Sequence, residues 1–112
     1  MKIGFTGSRS INKLNEEILS VLDKISKEDI VIHGGVVGAD TLIKEYCDLN
    51  QIQQQIIRPI NLSNKNYYLY RNVEIVTKCD KLLVFWDGRS RGTKFTMDYA
   101  KARGKEIEVI KI

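Results

Sequence analysis

The chain has 112 residues, 43% of them hydrophobic and 29% charged, with one Pro and eight Gly, which excludes a collagen-like, low-complexity or disordered polypeptide and leaves room for one core. No apolar run approaches the roughly 20 residues of a membrane-spanning helix, and the start Met1-Lys2-Ile3-Gly4-Phe5-Thr6-Gly7 reaches Arg9 too soon for a secretory leader; one cytoplasmic domain over residues 1–112 is expected. The net charge of +4 suits an anionic ligand or weak contact with nucleic acid, while Cys47 and Cys79 read as reduced thiols and the single histidine leaves no Cys/His zinc set.

In chain order, Lys2–Thr6 reads as a strand, followed by the loop Gly7-Ser8-Arg9-Ser10. From Ile11 to Ser26, the residues Ile11, Leu14, Ile18, Leu22 and Ile25 recur at steps of three and four, the stripe of an amphipathic helix capped by Ser10 or Asn12. Asp29–His33 is a second strand, Gly34-Gly35-Val36-Val37-Gly38 a glycine loop, and Ala39–Leu49 a helix that buries Ala39, Leu42, Ile43, Tyr46 and Leu49. A third strand lies within Gln53–Ile60, ended by Arg58-Pro59, and Asn61–Asn66 is a polar connector. Tyr67–Lys78 is a helix with Leu69, Val73 and Val76 inward, and Lys81–Trp86 is a continuous apolar strand. Asp87–Gly92 forms a second glycine- and arginine-containing loop before a helix over Thr93–Arg103, and Gly104 takes the left-handed residue after it. Glu106–Ile112 is the last strand.

Strict alternation of strand and helix predicts an α/β, Rossmann-like three-layer sandwich: a parallel five-stranded sheet in the order 3-2-1-4-5, with helices on both faces. Ligands of such sheets bind beyond the carboxyl ends of the strands, where the strand order reverses. Three loops meet there, Gly7-Ser8-Arg9, His33–Asp40 and Asp87–Thr93, and they carry much of the Gly and Arg. Glycines after a strand allow a tight turn and close approach to a ligand, and the following helix offers free N–H groups to an anion. Arg89 and Arg91, with the hydroxyls of Ser90 and Thr93, suit phosphate oxygens. Two helix N-termini at one crevice leave room for two phosphates, or for one phosphate and a ribose.

Several of these residues have ordinary structural roles as well. Asp40 either complements the helix dipole or contacts a ligand hydroxyl. Trp86 is either core or a stacking platform, and His33 at the end of a central strand fits a hydrogen-bonded structural residue better than a catalyst. Arg71 and Asn72 alone would be plain helix surface. The neighbouring Tyr67, Tyr68 and Tyr70 fit core, interface or base stacking.

Five short motifs occur in order: Gly7-Ser8-Arg9, Gly34-Gly35-x-x-Gly38-Ala39-Asp40, Arg71-Asn72, Asp80 before an apolar strand, and Gly88-x-Ser90-x-Gly92-Thr93. The set resembles the SLOG superfamily, the Rossmann-like group that joins Smf/DprA-type DNA-processing proteins with LOG-type phosphoribohydrolases. It is most similar to the small stand-alone branch related to YspA and YpsA, over essentially the whole chain. The resemblance implies a nucleotide or nucleotide-derived ligand held by Gly7, Ser8, Arg9, Gly34, Gly35, Gly38, Asp40, Ser90, Gly92 and Thr93, with Arg71 and Asn72. Gly88, Arg89, Arg91 and Trp86 complete the candidate set.

The resemblance departs at one position. LOG-type enzymes carry Pro-Gly-Gly-x-Gly-Thr-x-x-Glu with a catalytic glutamate; here Arg89-Ser90 replace the glycine pair and Thr96 stands at the glutamate position. Asp98 lies two residues further on, about 200° around a helix, and should point away. Asp87, Asp40 and His33 remain the acid–base candidates, without a matching motif.

The leading expectation is therefore a sensor or sequestering protein for a nucleotide-derived signal, such as a cyclic or ADP-ribose-like molecule, with no metal and no further cofactor. An N-glycosidic hydrolase using Asp87 or Asp40 and a nucleic-acid-binding module are the alternatives. The latter is disfavoured because the arginines converge on one crevice. A homo-oligomer is expected, because a crevice on so small a domain is shallow and a neighbouring helix would deepen it.

Overall fold

The structure is a computed structural model that describes residues 1–59 and 66–112. Its strands are β1 (Lys2–Gly7), β2 (Ile30–His33), β3 (Gln53–Ile56), β4 (Lys81–Trp86) and β5 (Glu106–Lys111), and its helices are α1 (Glu16–Leu22), α2 (Ala39–Leu49), α3 (Tyr67–Lys78) and α4 (Arg91–Ala102). All strand pairs are parallel, in the order β3-β2-β1-β4-β5. This is the expected Rossmann-like sandwich. Ile60 and most of the expected connector Asn61–Asn66 lie outside the described residues.

Period-two alternation along the central strands builds two cores. On one face Ile3 and Phe5 of β1, Val31 of β2 and Leu83 and Phe85 of β4 pack under α1 and α2. The rings of Phe5 and Phe85 meet edge to face at 5.0 Å. On the other face Ile32, Leu82 and Val84 pack against Ile75 and Val76 of α3 and Met97 and Ala100 of α4. Both faces of these strands are covered, which is why Lys81–Trp86 reads as an unbroken apolar run. Cys47 and Cys79 are free and buried among these side chains. Among the described residues no helix is long and apolar enough to cross a membrane.

The helices differ from expectation in detail. The first does not run from Ile11 to Ser26 but covers only Glu16–Leu22, capped by Asn15, whose Oδ1 accepts from Ile18 N at 2.8 Å. Ile11 and Ile25 are buried but lie in the flanking loops, and Leu14 is 42% exposed. Buried loop residues here imitate helical spacing. Ser10 does not cap; its hydroxyl donates to Asp87 Oδ2 at 2.7 Å. On α2, Cys47 is buried where Leu49 was expected, and Leu49 is 85% exposed. On α3 the inward face is Arg71, Asn72, Ile75 and Val76, while Leu69 and Val73 are only half-buried. The stripe is rotated because the polar pair Arg71-Asn72 in its second turn faces inward. The fourth helix starts at Arg91 rather than Thr93, because Ser90 is its cap.

The short first helix makes its cap measurable. Asn15→Ala should cost about 1 kcal/mol in urea unfolding, and Asn12→Ala close to nothing. Equal costs would restore the longer helix.

Candidate ligand-binding site

The strand order reverses between β1 and β4, and over their carboxyl ends lies a cavity of about 560 Å³. The end of β1 and its loop contribute Thr6, Gly7, Arg9 and Ser10. The turn into α2 contributes Val36 and Asp40, and α3 contributes Tyr68, Arg71, Asn72 and Ile75. Asp87, Ser90, Arg91, Gly92 and Thr93 complete the lining.

The loop after β4 is held by hydrogen bonds to one carboxylate. Asp87 Oδ1 accepts from the amides of Arg89 and Ser90, both at 2.8 Å, and Oδ2 accepts from the Ser10 hydroxyl. These bonds, led by that hydroxyl, hold the Asp87 carboxyl down at about 2. Its own amide donates to Ser8 Oγ at 3.0 Å, which ties the loop to the end of β1. Trp86 Nε1 donates to the carbonyl of Ser90 at 3.1 Å, and Ser90 Oγ accepts from Thr93 N. Among the described residues the amides of Arg91 and Gly92 take no hydrogen-bond partner, as first-turn N–H groups do when nothing caps them.

Across the cavity sits a buried polar relay. Arg71, only 8% exposed, donates from Nε to Asn72 Oδ1 at 2.8 Å and from Nη1 to the carbonyl of Gly34 at 3.2 Å. Asn72 Nδ2 donates to Thr96 Oγ1, and Thr96 Oγ1 donates to the carbonyl of Gly92, each at 2.9 Å. This relay joins α3 to the start of α4. Thr96 is fully engaged in it, while Asp98 is exposed and paired with Lys94 at 2.8 Å, pointing away as expected.

The glycine loop acts through arginines. A Cβ on Gly34 would run into the Arg71 guanidinium, and one on Gly38, whose φ is +106°, would meet the Arg9 backbone. The loop thus makes room for the Arg71 guanidinium and for the backbone at Arg9, and neither glycine lies on the cavity wall.

Asp40 is the least satisfied group in the site. It is 8% exposed, its Oδ2 accepts from Val36 N at 3.1 Å, and its Oδ1 has no hydrogen-bond partner among the described residues. Burial pushes its carboxyl above the usual carboxylate range, opposed by the Val36 amide, by His33 and Arg71, and by the Gly34 amide beyond hydrogen-bond geometry. Arg71 and Asp40 line the same cavity, yet no N···O approach within 4.0 Å joins them.

Of the expected site residues, Gly7, Arg9, Asp40, Arg71 and Asn72 reach the cavity wall, as do Asp87, Ser90, Arg91, Gly92 and Thr93. Ser8, Gly34, Gly35, Gly38, Trp86, Gly88 and Arg89 do not. Ser8 is fully buried as a junction, its carbonyl accepting from Ile11 N and Ala39 N. Trp86 packs against the α3–α4 core. His33 is fully buried, accepting at Nδ1 from Gly35 N and donating from Nε2 to Gln54 Oε1. Arg71 and Asn72 are not helix surface but buried. Phe5, Thr6, Val36 and Ile75 also line the cavity and were not expected there, and Ser10 was expected only as one of two possible caps. The place of Phe5 and Thr6 at the end of β1, of Val36 in the glycine loop and of Ile75 one turn after Arg71 is the signal that would have found them.

Two solved structures share this architecture. DNA processing protein A (DprA) from Streptococcus pneumoniae superposes with a TM-score of 0.78 at 17% identity, over 99% of this chain and 50% of that one. The likeness is one of fold, a Rossmann-like parallel sheet of the same architecture. The protein TM1055 superposes with a TM-score of 0.66 at 19% identity, over 95% of this chain and 71% of that one. The chain thus spans half the length of the DprA chain. No protein-family model and no curated protein sequence matches it.

Asp40→Asn should be more stable than the parent at neutral pH, read as a higher Tm. The sign follows from its raised carboxyl. The folded state holds this proton more tightly than the unfolded state, so stability falls as pH rises through the window between the two values. The advantage of Asn should vanish below about pH 4, where both states are protonated. Thermal melts across pH test it; a destabilised variant at pH 7 would refute it.

Proposed function

We propose that this protein binds a small nucleotide-derived ligand through one phosphate, as a sensor or sequestering protein. The convergence of Arg9 and Arg91 on one cavity beside the unpartnered amides of Arg91 and Gly92 carries the reading. Guanidinium forks and first-turn amides are the groups that hold phosphate oxygens. A single phosphate is favoured over two because the turn into α2 already holds an anion, the Asp40 carboxylate, on the Val36 amide. A volume of about 560 Å³ suits one nucleotide. The concave placement of the arginines also fits a small molecule better than a nucleic-acid track.

Binding is favoured over hydrolysis because Thr96, at the position of the LOG-type glutamate, is consumed in the relay to Asn72 and Gly92. One observation supports a hydrolase as second reading. Asp40 is a cavity carboxyl shifted upward, which suits proton transfer, whereas Asp87 at about 2 is a poor base near neutral pH.

Calorimetric titration with AMP, NAD, ADP-ribose and cyclic nucleotides, followed by mass spectrometry of the mixtures, tests both. Binding with the ligand recovered intact is expected, and Arg91→Ala should weaken it about 10- to 100-fold with the fold unchanged, the loss typical of a charge-assisted hydrogen bond. Base and ribose phosphate in the mixture, abolished in Asp40→Asn, would establish the hydrolase instead.

A further inference from the structure

Asp40 and Arg71 pose a problem that the protein itself does not solve. An acceptor-only carboxylate and a donor-only guanidinium, each more than nine-tenths buried, line one cavity without closing an ion pair. Asp40 Oδ1 is left without a hydrogen-bond donor among the described residues. Arg71 uses Nε and Nη1 on Asn72 and Gly34, two of the five N–H groups a guanidinium carries. A buried polar atom left unpaired is costly, so such a pair is a site for a group that completes it.

The chemistry of that group follows from the two partners. A single group that completes both must donate to a carboxylate oxygen and accept from a guanidinium. A hydroxyl does both; an amine or ring N–H of a base only donates. A base edge with two adjacent donors, such as that of guanine, would also need both carboxylate oxygens, and Oδ2 already takes the Val36 amide. In a nucleotide, the neutral hydroxyls are those of the ribose.

We infer that Asp40 and Arg71 bind a ribose hydroxyl of the ligand, so that the site selects ribonucleotides over nucleotides lacking the 2′- or 3′-hydroxyl. The inference rests on the reading of the cavity as a nucleotide-phosphate site. It gives the two sides of the cavity separate tasks: Arg9, Arg91 and the start of α4 take the phosphate, and the Asp40–Arg71 side reads the sugar.

The test is calorimetric titration of the full chain with AMP, 2′-deoxy-AMP, 3′-deoxy-AMP and ribose 5-phosphate. At least one deoxy analogue should bind about tenfold or more weakly than AMP, because a site built to hydrogen-bond a hydroxyl leaves its own groups unpaired when the hydroxyl is missing. In Asp40→Asn, with folding checked by thermal melt, that discrimination should shrink to within about threefold. Equal affinity of the parent protein for AMP and both deoxy analogues would overturn the inference while keeping the phosphate site, and a water would then fill the gap. Binding of none of these four probes, nor of NAD, ADP-ribose or cyclic nucleotides, would overturn the phosphate reading and this inference together. The parent-protein comparison decides the matter even where the variant does not fold.

Discussion

Placing a guanidinium inside a domain of this size is costly unless its N–H groups find oxygens, and the arrangement of Arg71 is organised around that constraint. Gly34 leaves the space that a side chain would fill, and its carbonyl accepts one of the N–H groups. Asn72 accepts another, which turns its amide toward Thr96, and Thr96 in turn fixes the carbonyl of Gly92 at the start of α4. A buried charge on α3 is therefore tied through hydrogen bonds to the start of α4.

The two carboxylates of the site show how environment divides one chemical group into two roles. Asp87 is saturated by a hydroxyl and two amides and stays ionised, so it acts as a fixed tie for the loop that carries Ser90 and Arg91. Asp40 is buried with one oxygen unpaired. A natural domain keeps so poorly satisfied a group where function needs it and accepts the loss of stability. The contrast separates what holds the site in shape from what is left to meet a ligand.

Strand order and helix count were legible in the sequence because alternation, glycine punctuation and the handedness of crossovers leave few topologies. The details that failed share one cause, which is burial of residues whose type does not announce it. Ile11 and Ile25 looked helical because a loop packed into the core at the same spacing. Arg71 and Asn72 looked like surface because charged and amide side chains almost always are. Only their shared network, invisible in a linear pattern, explains why they face inward. The three loops do stand at the carboxyl edge of the sheet beside a cavity, as the topology implied, but the roles of their glycines were not legible. Gly34 and Gly38 are small to admit Arg71 and Arg9, a reason that depends on residues distant in sequence.

Likeness of fold to DprA and TM1055 at 17% and 19% identity fixes the scaffold and leaves the chemistry to individual side chains. The position of Thr96 illustrates the point. In the LOG-type pattern that the sequence resembles, a glutamate there faces the reacting bond. Here a hydroxyl at the same turn of α4 is buried, donates to the carbonyl of Gly92 and accepts from Asn72. An ionised glutamate could not donate to that carbonyl, and placing its charge among these groups would break the relay that seats Arg71. The acid and the relay are thus mutually exclusive at this position. By carrying the relay, this chain uses as scaffolding a position that the LOG-type pattern fills with a glutamate.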